Sequence, residues 1–197
     1  MKKGSIVIYC CIVVGILWSV FACQEKKAEM PKPKGYFRID LPPHSYQVFD
    51  TSALPFQFQY SQSASYTIED KGEGIQWIHL YYPQQQAVLE MTYLPVDTNL
   101  PRLMENDEEF VGLHYSMASD VEESFIQDDS AKLYGKLFDI AGKNVACPLQ
   151  FWLTDKTHHY LRTSLYFNFT PNNDSIQPVI EYIREDVMKM IETFEWR

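Results

Sequence analysis

Apolar and polar positions change period several times along the chain, and each change predicts an element. Ile6 to Ala22 is an almost unbroken apolar run, and Gln24 to Pro33 is polar. Tyr36 to Leu41 alternates in part and is bounded by prolines, which suits an edge strand or a docked extended arm. Phe56-Gln57-Phe58-Gln59-Tyr60 alternates aromatic with polar, the period of a half-buried strand. Tyr66 to Glu69 is a weaker strand signal. Ile75 to Tyr82 and Ala87 to Leu94 are dense in aromatic and β-branched residues, with Pro83 to Gln86 between them. With the turn Lys71-Gly72-Glu73-Gly74, these four segments predict an antiparallel meander.

The period then becomes helical. Between Leu100 and Ala118, Leu103, Phe110, Leu113 and Met117 share a stripe, and Glu105 and Glu108 lie opposite. Leu133 to Ile140, Ala146 to Thr154 and His159 to Phe169 read as three more strands. Asp155-Lys156-Thr157-His158 joins the last two as a hairpin. In the final strand His159, Leu161, Thr163, Leu165, Phe167 and Phe169 face one way. Tyr160, Arg162, Ser164, Tyr166 and Asn168 face the other. Ile176, Ile180, Ile183, Val187, Met190 or Ile191, and Phe194 mark a closing amphipathic helix, with Asp174 or Ser175 as its cap. The order strands, helix, strands, helix predicts an α+β fold. Its antiparallel sheet has about six to seven strands and is covered by two helices.

The first residues carry a different message. Met1-Lys2-Lys3, the apolar run, and Val20-Phe21-Ala22-Cys23 have the layout of a lipoprotein signal, although Phe21 stands where a small residue is usual. The run falls short of the about 20 residues a spanning helix needs. The predicted organisation is a signal at 1–22, an extended tether at 23–35 and a single α+β domain at 36–197. Cys23 is the candidate lipidation site, since two or more acyl chains anchor a protein stably. An uncleaved anchor is the competing reading, and it also leaves the domain outside the cytoplasm because the lysines stay inside.

Charge narrows the partners. The chain has 17 basic and 26 acidic residues, a net charge of −9; losing Lys2 and Lys3 leaves 15 basic residues and −11. Such a surface repels phosphate backbones and anionic head groups, so nucleic acid is not an expected partner and membrane attachment falls to the lipid. Cys10 and Cys11 lie in the signal, so after Cys23 only Cys147 remains, and it reads as a buried, inert thiol.

The sequence offers no candidate catalytic residue, metal site, cofactor or small-molecule substrate. There is no His-Glu-x-x-His, no Gly-x-Ser-x-Gly and no Gly-rich phosphate loop. His158 and His159 point to opposite faces if extended. Glu122-Glu123 and Asp128-Asp129 have polar neighbours and read as solvated loop charge. The 12 Phe, 13 Tyr and 4 Trp cannot all be core, because adjacent Tyr81 and Tyr82 must face opposite ways. Exposed Tyr and Arg favour a binding module. The candidate partner-binding stretch is Lys32, Lys34, Gly35, Tyr36, Phe37, Arg38 and Asp40, by strand addition, unless it pairs with its own sheet. The alternative is an envelope hydrolase acting on glycan or peptide. It requires a cleft with convergent carboxylates or histidines.

The run Pro31-Lys32-Pro33-Lys34-Gly35-Tyr36-Phe37-Arg38-Ile39-Asp40-Leu41-Pro42 resembles the opening signature of the gliding motility lipoprotein GldD family of Bacteroidetes. The resemblance continues through Leu133-Tyr134-Gly135, then Pro148 to Asp155 and Leu161 to Asn168, and ends at Phe194-Glu195-Trp196. It implies a cell-envelope lipoprotein required for gliding motility and the coupled type IX protein secretion; with no catalytic pattern in the residues, a non-enzymatic binding component that faces the periplasm is expected. The partners it implies are other envelope proteins of that machinery. It brings no catalytic residues. In that phylum Asp129-Ser130-Ala131 and Asp174-Ser175-Ile176 match a short O-glycosylation motif. The second overlaps the helix cap, which leaves Ser130 as the candidate.

Overall fold

Residues 159–167, expected as the second arm of a hairpin, form the middle strand of a seven-stranded sheet. The computed structural model describes residues 39–170 and 172–197. The apolar run, Cys23, the tether and Lys32, Lys34, Gly35, Tyr36, Phe37 and Arg38 lie outside the described residues.

In chain order the strands and helices are β1 (Tyr46–Asp50), β2 (Phe56–Ser61), β3 (Ser65–Gly72), β4 (Ile75–Tyr82), β5 (Ala87–Pro95), α1 (Leu100–Gly112), β6 (Asp120–Asp128), β7 (Leu133–Ala141), β8 (Leu149–Thr154), β9 (His159–Phe167), α2 (Asn173–Glu192) and β10 (Glu195–Trp196). The large sheet has the order β3-β4-β5-β9-β8-β7-β6, and a small one the order β1-β2-β10. Every neighbouring pair is antiparallel. The fold is α+β, as expected.

Alternation along each strand gives the large sheet two faces with separate cores. One face places Ile78, Leu80, Leu89, Met91, Leu137, Phe151, Leu153, Leu161 and Leu165 against Val179, Ile183, Val187 and Met190 of α2. Phe56 and Phe58 of the small sheet join that core, with Phe49 stacked on Phe58 at 4.6 Å between ring centres. The other face sets Phe138, Ile140, Trp152 and Tyr160 against Leu103, Met104 and Val111 of α1. Each large side chain so buried contributes roughly 1.5–3 kcal/mol. The two helices therefore cover opposite faces. At Gly135 the strands approach so closely that a Cβ would lie 2.2 Å from the Trp152 carbonyl oxygen.

Several expectations need correction. Phe56–Ser61 is not the first strand of the meander, which is β3-β4-β5; it pairs with β1 and β10 instead. Period two reveals a strand and its buried face, not its neighbour. Glu122, Glu123 and Asp128 are not loop charge but lie in β6, whose burial alternates only weakly because it is an edge. Helix α1 stops at Gly112 rather than Ala118, and Leu113 to Met117 continue as turns. Helix α2 is capped at Asn172, two residues before Asp174 and three before Ser175, with no side-chain cap bond. Ile39 to Leu41 form no strand, and Leu41 packs on the larger core.

Candidate functional site

Helix α1 inverts the usual placement of apolar and polar side chains toward its end. Phe110 is 43% exposed and Leu113 71%, while Asp107 is 1% exposed against the sheet. The expected apolar stripe Leu103-Phe110-Leu113-Met117 is thus not the buried stripe. The stripe that faces the sheet is the half-buried Leu103 followed by the buried Asp107 and Val111, with a carboxylate at its centre.

Asp107 accepts a short hydrogen bond from the Tyr160 hydroxyl. Arg162 Nη1 lies 3.5 Å from its other carboxylate oxygen. Gln150 Nε2 donates to the Asp107 backbone carbonyl at 3.4 Å. Burial pushes the Asp107 carboxyl up to about 6, against the opposing pull of Tyr160 and Arg162. The Tyr160 phenol is raised in turn by burial and by the carboxylate beside it. Trp152 stacks on Tyr160 at 5.8 Å. The cluster fixes the Arg162 guanidinium, which lies 4.7 Å from the Phe110 ring centre in a cation–π contact.

Above it opens a cavity of ≈ 250 Å³ lined by Glu90, Thr92, Phe110, Leu113, His114, Gln150, Arg162, Ser164 and Tyr166. Burial lowers the His114 pKa, which favours the neutral ring, and its Nδ1 is buried without a hydrogen-bond partner. Chemically this is a recess with a positioned cation, several hydrogen-bonding side chains and an apolar lip. The surface is not flat, yet its carboxylates do not converge: Glu90 faces the cavity, and Asp107 is sealed beneath by Tyr160 and Arg162. Among the described residues no group of three or more His, Cys, Asp or Glu could hold a metal ion.

A second polar cluster lies on the opposite face. His44 bridges Asp186 (2.7 Å) and Glu185 (2.9 Å) and stacks on Tyr182 at 4.3 Å. It ties the segment before β1 to α2, and burial together with Asp186 pushes the Tyr46 phenol up to about 12.

The residues singled out beforehand are scattered. Asp40 is exposed ahead of β1. Ser130 is exposed in the β6–β7 turn, its hydroxyl donating to Asp128 at 2.6 Å. Cys147 is fully buried and burial pushes its thiol up to about 12. Tyr81 is 37% exposed and Tyr82 1%, as their adjacency required. Asp107 and His114 were missed. The signal for Asp107 was present: an acid at the middle of an i, i+4, i+8 apolar stripe.

The profile of the gliding motility lipoprotein GldD family matches residues 26–196. The chain belongs to this family. It is accordingly a gliding motility lipoprotein, membrane-anchored in the cell envelope. No curated protein matches the chain. Among solved structures, the solution structure of cyanobacterial PsbP (CyanoP) from Synechocystis sp. PCC 6803 is 11% identical, with a TM-score of 0.48 over 82% of this chain and 98% of that one. That likeness carries no argument about function.

Proposed function

We propose that the protein is a non-enzymatic docking component, required for gliding motility and for the associated type IX secretion, that faces the periplasm and binds other envelope proteins of that machinery. The observation that carries this reading is the inverted end of α1. Leu113 is 71% exposed at the lip of a cavity whose cation, Arg162, is held in place. Exposed apolar side chains around a positioned polar centre are the anatomy of a binding surface.

The test is an in-frame deletion complemented by wild type, Cys23→Ala or Leu113→Asp, scored for colony spreading and for export of a type IX cargo. The Leu113 side chain is exposed, so the substitution leaves the core intact. Loss of both phenotypes with Leu113→Asp at normal protein abundance supports docking through this surface. Full spreading and export in the deletion strain refute the reading. An envelope hydrolase using the same cavity would need Glu90, the carboxylate that faces it; Glu90→Gln with normal spreading removes that alternative.

A further inference from the structure

Strand β6 is an edge of the large sheet and pairs with β7 over all nine of its residues without a register break. The opposite edge, β3, carries a register shift between Asp70 and Gly72. Bulges of that kind close an edge to further pairing, and β6 has none. The Val121 N–H donates to the neighbouring Asp120 carboxylate (2.9 Å). Its cross-strand partner Ile140 donates away from it, to Pro148 (2.9 Å). Val121 therefore presents its backbone outward, and by alternation so do Glu123, Phe125 and Gln127.

The two flanks of this edge differ in chemistry. On the α2 side, Asp120, Glu122, Asp139 and Glu181 line a groove of ≈ 240 Å³ together with Arg184. Asp139 engages Arg184 through both oxygens, at 2.8 and 2.9 Å. Asn173, 5% exposed, lines the same groove. Its Nδ2 donates to the Gly142 and Val145 carbonyls, 2.9 Å each, which leaves Oδ1 buried with no donor. On the α1 side, Glu123 pairs with Lys136 at 2.7 Å, and Phe125, 82% exposed, has that Lys136 ammonium 5.6 Å from its ring centre.

We propose that β6 is a strand-addition site for an extended segment of a partner protein that alternates basic with apolar residues. Backbone pairing along the outward groups gives register. Lys or Arg side chains on one flank meet the carboxylates of the groove and supply the donor that Asn173 Oδ1 lacks. Apolar side chains on the other flank pack on Phe125. The same carboxylates exclude a second copy of this chain, because β6 paired with β6 sets like charges opposite one another. This proposal goes beyond the cavity reading and does not depend on it.

The test uses the lipid-free mature chain, Cys23→Ala, and a dye-labelled synthetic peptide as long as β6 that alternates lysine with valine or threonine. Fluorescence anisotropy reads binding, and a peptide with glutamate in place of lysine is the control. The lysine peptide binds, with affinity that falls as salt is added, and the glutamate peptide does not. Glu122→Lys weakens binding by about tenfold through like-charge juxtaposition. Phe125→Pro abolishes it, since proline at an outward position removes a pairing donor and leaves the β7 ladder intact. Circular dichroism reports folding; if Phe125→Pro unfolds the domain, Asp120→Lys combined with Glu122→Lys carries the test. Leu113→Asp leaves the binding unchanged, which separates this surface from the cavity. Absence of binding, equal binding of the two peptides, or indifference to Glu122→Lys overturns the proposal. So does a dimer of this chain that Phe125→Pro abolishes, which would assign the edge to a second copy.

Discussion

Replacing Asp107 by Asn should change how stability depends on pH, by an amount the structure sets. Burial raises the Asp107 carboxyl from 3.8 to about 6 in the folded domain. Below pH ~4 the carboxyl is protonated in both folded and unfolded chains, and it contributes no pH dependence. Between pH ~4 and ~6 the unfolded chain has released this proton while the folded chain still holds it. Stability therefore falls as pH rises through that window, and above pH ~6 the loss is complete. At about 1.4 kcal/mol per pH unit, the loss comes to about 3 kcal/mol. The amide introduced by Asp107→Asn would keep an acceptor for the Tyr160 hydroxyl and would carry no charge. The assay is urea unfolding of both proteins from pH 4 to pH 7.5. Other titrating groups act on both curves alike, so the difference between them isolates Asp107. We expect Asp107→Asn to gain about 3 kcal/mol on wild type across this range. Parallel curves would falsify the account of Asp107 as a buried, desolvated acid.

The remaining predictions concern packing, a turn and the thiol. Gly135→Ala places a methyl 2.2 Å from the Trp152 carbonyl oxygen and 2.9 Å from Leu153 Cδ2. The domain should lose about 3 kcal/mol, read as a fall in Tm, and an unchanged Tm would contradict the close approach of β7 and β8. Burial alone would raise the Asp155 carboxyl, but bonds from the Thr157 hydroxyl (2.6 Å) and from the Thr157, His158 and His159 amides (3.0, 2.8 and 2.8 Å) hold it well below the ordinary range. Its contribution is present at neutral pH and lost as pH falls through its depressed folded pKa; Asp155→Ala should cost about 2 kcal/mol at pH 7 and progressively less in acid. Cys147, fully buried with its thiol pushed up to about 12, should react with a thiol reagent only at the rate of unfolding. Fast labelling of the native protein would place that side chain at the surface.

Much of the architecture was legible in the sequence. The facing of β9 followed from its alternation, because burying one side of a pleated strand selects every second residue. The closing helix was legible because Ile180, Ile183, Val187 and Met190 recur on one stripe, and all four are buried. Strand β6 was not, because an edge strand with acidic residues on both faces lacks the contrast that period reading needs. The end of α1 misled for a related reason. Phe110, Leu113 and Met117 continue the helical spacing, but the fold leaves them at the surface rather than in the core.

The candidate site shows where local information stops. Sequence alone decided that an acid stands at the middle of the Leu103–Val111 spacing in α1, that Arg162 shares a face with Tyr160 and Tyr166, and that Cys147 is the single cysteine after position 23. Such facts follow from spacing and composition, which are properties of neighbouring residues. Only the tertiary structure brought Asp107 to Tyr160 and Arg162 across more than fifty residues of chain. Only it set β2 beside β10, opened the cavity beneath Phe110, and left β6 at the edge of its sheet. Those outcomes depend on which apolar surfaces bury each other. That choice is made by the free energy of the whole packed domain, not by the period of any one segment.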